Sequence, residues 1–407
     1  MRILFLSPVL PHAQVVSGMI NVYQRIKLLA RMGHEVGLAC FTTAEDQIYL
    51  PALRPMLYDF EMLPPPSQNF YLRPDWFDRV FNPLPQEFRR AFHPAMQKLV
   101  GQMVDRSHYD VVIAEFTIMG QYLYRNPWLS AVRRVISCHS CLSAASRKAF
   151  RMRPYTPEAV ARRLGWERLY QYEFALYRSA DLVLTLTAEE RMELLRHDPD
   201  LRVSVVPYGV DVDFYKPHPS RPAEEAIVYT GYFAQEPNRD AFNWFIQMVW
   251  PGLKARHPQL KFYVVGQGAT PDMLEAARRD PNLVITGAVD DVSPYLNRAR
   301  VYVCPIRLGS GFRGKVLQAM AAGIPVVATT LAAEGIPAQT GHNILLADTP
   351  HTMGESINLL LQDGGLRRTI AANARDLVVR RFAWNQCVDR LDQMLREMSV
   401  KHVPVPL

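Results

Sequence analysis

Cysteine is scarce and odd in number, five in 407 residues, which excludes the disulfide-stapled scaffold of a small secreted domain and points to a reducing compartment. No stretch approaches the ~18 uninterrupted apolar residues that cross a bilayer. The apolar run after Arg2 is cut by Pro8 and Pro11 before any small-residue cleavage site, so it reads as a buried strand rather than a leader, and the protein as cytoplasmic. A Gly-Lys-Ser/Thr phosphate loop is missing. No second Cys-x-x-Cys accompanies Cys138 and Cys141, and no nucleic-acid recognition motif occurs. No Asp-x-Asp stands out at a likely active-site strand end, Asp211 to Asp213 falling in a linker-like stretch, so no metal is expected. What remains, 49% apolar and 21% charged residues, describes an ordinary globular chain of two to three domains.

Basic residues outnumber acidic ones 46 to 39, giving a formal charge of +7, but unevenly. From Arg125 to Arg178 there are eleven basic residues against three acidic, so this one segment carries more than the whole excess. It suits a phosphorylated ligand or an anionic membrane; a solvated helical face is the plainer reading. Nucleic acid is not expected as a partner.

Strand, loop, helix and strand alternate along the chain. Arg2 to Ser7 is an apolar run. Met19 to Met32 has apolar residues at helical spacing with Gly33 placed to stop it, and His34 to Phe41 reads as the next strand. Such βαβ units build parallel sheets. Further strands are expected at 110–116, 134–138, 181–186 and 202–206, with a helix over 157–179. Residues 49–94, rich in proline and aromatics, read as an irregular insertion. After the proline-rich 208–225 the alternation restarts, with strands near 226–231, 260–266, 283–289, 300–306 and 324–329 and helices between them, one running over 239–256. This predicts an α/β chain of two doubly wound, Rossmann-like domains facing a cleft: 1–206, a linker 207–225, a second domain 226–380, and a C-terminal helix and tail 381–407 crossing back to the first.

The most informative segment is VYVCPIRLGSGFRGKVLQAMAAGIPVVATT, residues 301–330. A buried strand gives way to a loop with Gly309, Gly311 and Gly314, and a helix begins near Lys315. Glycines admit close backbone approach, and a helix N-terminus offers free N–H groups with partial positive charge. Arg307, Arg313 and Lys315 add cations, making a diphosphate cradle. Gly18, before the first helix, is as well explained by the helix start as by a ligand. His139, at a strand's carboxyl end, reads as a polar contact or proton-transfer group, with a structural histidine as the rival. The Cys138/Cys141 pair invites a metal or redox reading that no second pair supports.

The chain resembles the GT-B glycosyltransferases, close to the retaining family 4, over nearly its whole length. The resemblance rests on VPYGVDVDFYKP (206–217), YTGYFAQEPNRDAFNWF (229–245), RLGSGFRGKVLQAMAAGIPVVATTLAAEGI (307–336) and, more weakly, residues 166–191. It implies that the second domain holds a nucleoside-diphosphate sugar, as substrate rather than cofactor, and the first a carbohydrate or lipid-linked acceptor. By resemblance, His139, Arg307 and Lys315 form the catalytic set, and Gly18, Gly231, Gly309, Ser310, Gly311, Phe312, Arg313 and Gln318 the donor-binding set. Many members carry two glutamates with seven residues between them, where this chain has Ser310 and Gln318. The implied function is metal-independent, retaining transfer of a sugar in polysaccharide or glycolipid synthesis, and the basic segment adds the expectation of peripheral contact at an anionic membrane. Alternatives are a catalytically silent nucleotide-sugar-binding protein and a sugar-nucleotide epimerase of the same fold.

Overall fold

The structure is a computed structural model that describes residues 1–13, 18–66, 84–152, 157–218, 224–309 and 311–400. It divides into two compact units, Met1–Pro207 with Val388–Leu407, and Tyr208–Cys387.

The first unit is built on seven parallel strands: β1 (Arg2–Ser7), β2 (Glu35–Phe41), β3 (Asp59–Leu63), β4 (Val111–Glu115), β5 (Arg133–Cys138), β6 (Leu182–Thr185) and β7 (Val203–Val205), in the order β3-β2-β1-β4-β5-β6-β7. The central runs β1 and β4 are almost wholly apolar because both sheet faces are covered there. Alternate residues of β1 go to opposite cores. Ile3 and Phe5 pack with Val22, Ile26 and Leu29 of α1 (Gly18–Arg31), and Leu4 and Leu6 join the cluster of Val100 and Met103 of α2 (Pro94–Ser107). Three more helices follow, α3 (Leu142–Met152), α4 (Pro157–Ser179) and α5 (Ala188–His197). The last helix of the chain, Trp384–Val400, places Val388, Leu391 and Leu395 in the core that holds Ile3 and Phe5. There its Asp392 meets His34 at 3.0 Å.

The second unit has six parallel strands in the order β10-β9-β8-β11-β12-β13: β8 (Ala226–Thr230), β9 (Lys261–Val265), β10 (Leu283–Gly287), β11 (Val301–Cys304), β12 (Val326–Ala328) and β13 (Leu345–Leu346). Its helices are α6 (Glu236–Met248), α7 (Trp250–Arg256), α8 (Pro271–Arg279), α9 (Ser293–Arg298), α10 (Gly314–Ala321), α11 (Pro350–Gln362) and α12 (Gly364–Arg381). In both sheets the strand order reverses once, between β1 and β4 and between β8 and β11. Ligands of open α/β sheets bind beyond the carboxyl ends of strands at that reversal.

Two local expectations need correction. The insertion at 49–94 is not irregular throughout: β3 lies within it and pairs with β2, Gly37 opposite Asp59. Its flanking prolines sit outside the paired residues, where they cost no ladder bond. Residues 67–83 of that insertion, and 219–223 of the linker, lie outside the described residues. The helix expected over 239–256 is two helices, α6 and α7, because Pro251 cannot donate to the preceding turn.

Gly37 marks a tight point in the first sheet. A Cβ there would lie 2.0 Å from the Tyr109 hydroxyl oxygen, and Tyr109 is buried. Gly37→Ala should therefore cost ~1–3 kcal/mol of stability. Gly252 in α7 has nothing within 4 Å of its Cβ position, so Gly252→Ala should stabilise by up to ~1 kcal/mol through helix propensity. Thermal melts of the two variants should move in opposite directions; equal shifts would contradict the packing described.

Candidate active site

In the second unit, β8 and β11 flank the strand reversal, and their following loops carry most of the expected residues. Lys315, in the first turn of α10, sends its ammonium back to the end of β8. Nζ donates to the Thr230 carbonyl at 2.7 Å and to Asn238 Oδ1 at 2.6 Å, and lies 4.8 Å from the Tyr229 ring centre. Asn238 Oδ1 also accepts from the Tyr229 hydroxyl at 3.1 Å, and Asn238 Nδ2 donates to the Tyr232 carbonyl at 2.9 Å. Burial pushes the Lys315 amine down to about 8, with Arg313 adding to the effect and Cys304 opposing it. The ammonium is thus poorly compensated: it has neutral acceptors, and no carboxylate pairs with it among the described residues.

Gly231 belongs to the same point, since a Cβ there would meet Asn238 Oδ1 at 3.1 Å and Lys315 Nζ at 3.2 Å. Gly309 and Gly311 take φ of +89° and +93°, a region that favours glycine. Gln318 follows Lys315 by one turn of α10 and shares its side of the helix. The other cations are occupied differently. Arg313 folds back onto its own loop, donating to the carbonyls of Gly311 and Leu308. Arg307 is paired with Asp240 of α6 at 2.8 Å and lies over Trp244, its side chain 38% exposed. Phe312 packs with Tyr208 and Phe382. Ser310 lies outside the described residues.

The first unit gathers its polar residues after β1, β4 and β5. His139, just past β5, is bonded through Nε2 to Glu115 Oε2 at 2.8 Å. Glu115 is fully buried and is held at 2.8 and 3.1 Å by Arg25 of α1, which also donates to Ser137 Oγ at 2.8 Å. Burial alone would raise the Glu115 carboxyl, but Arg25 and His139 hold it down at about 2; burial lowers His139 below its usual range, against the pull of Glu115. Phe116 stacks on His139 with ring centres 3.9 Å apart, at a backbone φ of +67°. Gly18 completes the arrangement: a Cβ there would lie 2.6 Å from the Phe116 ring and 3.4 Å from His139 Nδ1.

The two cysteines of the Cys-x-x-Cys have separate partners. Cys138 meets the Tyr177 hydroxyl at 3.2 Å and Cys141 meets Glu173 at 3.5 Å, and burial pushes both thiols up. Glu173 in turn accepts from the Leu142 and Ser143 amides at the start of α3.

Sequence reasoning passed over Glu115, Arg25 and Asn238. Two of these left a signal. Glu115 is the single charge in the apolar run VVIAE, and Arg25 sits in the apolar stripe of α1 between Val22 and Leu29.

An amine whose folded value is depressed binds fewer protons than the unfolded chain between about 8 and its ordinary value of 10.5. Stability from this group should rise with pH in that window, by at most about 1.4 kcal/mol per pH unit. Comparing denaturation of the wild type with Lys315→Met from pH 7 to 10 isolates it. The difference should shift toward the wild type above pH 8, and a pH-independent difference would refute the enclosed ammonium.

Two family models match the chain, "Glycosyltransferase Family 4" over residues 21–214 and "Glycosyl transferases group 1" over 224–363. The chain is 25% identical over 319 residues to D-inositol 3-phosphate glycosyltransferase of Corynebacterium glutamicum, covering 71% of this chain and 72% of that protein. Among solved structures it is similar to sucrose-phosphate synthase from Thermosynechococcus elongatus, with a TM-score of 0.71 at 17% identity over 98% of this chain and 100% of the other. A second is Anabaena HepE in complex with UDP, with a TM-score of 0.71 at 15% identity over 98% and 100%. With one model on each doubly wound unit and these structural likenesses, the chain belongs to the family 4 glycosyltransferases of GT-B fold.

Proposed function

We propose that the protein transfers a sugar from a nucleoside diphosphate to an acceptor with retention of anomeric configuration and without a metal. The observation that carries this reading is the Lys315 ammonium, enclosed at the strand reversal with only neutral acceptors and packed against Gly231, while Gly309 and Gly311 of the preceding loop lie beside Arg313. An incoming diphosphate supplies the missing negative charge, and the α10 N-terminus adds its partial charge. Arg307 is the second cation, exchanging Asp240 for phosphate. Gln318 offers an amide to a ribose hydroxyl, and His139 contacts the transferred sugar. As the C1–O bond to the diphosphate breaks, the acceptor oxygen attacks the same face of the sugar and its proton passes to the departing phosphate oxygen. UDP is the first nucleotide to test, because HepE carries it.

The acceptor is read as anionic or held at an anionic surface. The similar Corynebacterium enzyme is named for an inositol phosphate, and the basic segment of this chain lies in the first unit. Among the described residues no helix is long and apolar enough to cross a membrane.

Lys315→Ala should weaken UDP binding by roughly 1.5–3 kcal/mol, about ten- to a hundredfold in Kd, measured by calorimetry. Unchanged affinity would sink the site. Product anomers read by NMR test retention, and persistence of transfer in chelator tests metal independence. Donor epimerisation without transfer, or binding without turnover, would replace this reading by the epimerase or the silent binder.

Co-sedimentation tests the surface contact. Binding to anionic vesicles should fall with salt and be absent for neutral ones, each basic residue near the surface contributing ~1 kcal/mol. Arg147, Lys148 and Arg151 of α3 and Arg153 form the first cluster to reverse in charge, the placement of Arg153 lying outside the described residues. Equal binding to both vesicle types would remove the membrane.

A further inference from the structure

We propose that Glu115 and Arg25 are positioning residues for His139, fixing its imidazole in the neutral form with the proton on Nε2 and a bare Nδ1 presented beside the start of α1. The inference rests on the reading of His139 as a sugar-contacting group and adds how that group is prepared.

Two contacts set the ring, and a third holds one of them in place. Glu115 Oε2 lies 2.8 Å from Nε2. The carboxylate cannot turn away, since Arg25 Nη1 grips both of its oxygens and is itself tied to Ser137 Oγ. Phe116 stacks on the imidazole at an interplanar angle of 19°, and so defines the ring plane. An ionised carboxylate only accepts, so the nitrogen it faces must carry the hydrogen. In a neutral imidazole the other nitrogen is then an acceptor. That nitrogen, Nδ1, faces Gly18, where any Cβ would lie 3.4 Å from it. The groups around the imidazole are thus Arg25 and Gly18 from α1, Glu115 and Phe116 at the end of β4, and Ser137 on β5. The prepared group accepts a hydrogen bond from a sugar hydroxyl. The opposite tautomer would donate instead and lose it.

The charge balance favours positioning over simple cross-linking. Arg25 and Glu115 neutralise each other, so the pair orients the ring without adding net charge to it. A purely structural tie between α1 and β4 would need only the ion pair, not the third member at 2.8 Å.

The test uses full-length protein with nitrogen-15-labelled histidine, His139→Asn serving to assign the signals. Long-range proton–nitrogen correlation at pH 7 should show His139 as the neutral Nε2–H tautomer. Glu115→Gln should mix the tautomers, because a side-chain amide can donate as well as accept. In steady state, Glu115→Gln should lower kcat roughly ten- to a hundredfold, with donor KM changed by less than about threefold. In a His139→Ala background the same change should have no further effect on kcat. Where Glu115→Gln fails to fold, Arg25→Lys replaces it, keeping the cation and dropping the fork. An imidazolium or an Nδ1–H tautomer in the wild type overturns the inference, as do kinetic losses that multiply in the double variant. A correct tautomer with unimpaired His139→Ala would instead retire the sugar-contact role of His139 and leave the positioning intact.

Discussion

A guanidinium and a carboxylate enclosed together in the first unit set the terms for what surrounds them. Taking each ion out of water costs several kcal/mol, and mutual attraction offsets this only when the remaining polar atoms also find partners. Arg25 and Glu115 meet part of that condition by recruiting Ser137 on β5 and His139 just past it, while Arg25 Nε and Nη2 are buried without a hydrogen-bond partner among the described residues. The consequence is mechanical. α1, β4 and β5 cannot slide relative to one another without leaving a buried charge exposed to nothing. Phe116 adds a strained backbone to the same point, at a φ of +67° for a bulky residue. Such strain persists only where neighbours over-determine it. Stacking on His139 and the absence of a side chain at Gly18 are those neighbours.

The second unit solves a similar problem with one charge instead of two. Its sheet is also covered on both faces, so polar groups collect past the strand ends. There Lys315 rests on a carbonyl and an amide oxygen rather than on a carboxylate. A neutral cradle keeps the ammonium available; a carboxylate would saturate it, as Asp240 does for Arg307. The two cations of one loop thus differ in readiness, although a bare sequence presents them as equivalent.

Much of this was legible in the chain. The apolar runs of β1, β4, β8 and β11 announced buried parallel strands, and Gly33 marked a helix end that the structure keeps at positive φ. The glycine-rich loop before α10 was readable because glycines that take positive φ stand just ahead of a helix start. What escaped reading depended on pairing across the sheet. Asn238 is one polar residue among many in 235–240, and only the fold brings it under Lys315. β3 was hidden because DFEML is short and set among prolines. Arg25 and Glu115 stand 90 residues apart, and nothing local to either says that the other exists.

At the carboxyl ends of β8 and β9 the surface is written in backbone. A side chain at Gly266 would fall 1.9 Å from the Gly231 carbonyl, and one at Gly268 would fall 2.6 Å from the Ala234 amide. Main-chain atoms cannot be exchanged by substitution, so this floor is the same for every variant that still folds. Any drift in what this end of the sheet presents, whether in evolution or under selection in the laboratory, must therefore come from the surrounding side chains of α6 and α10 and of the loop that carries Arg307.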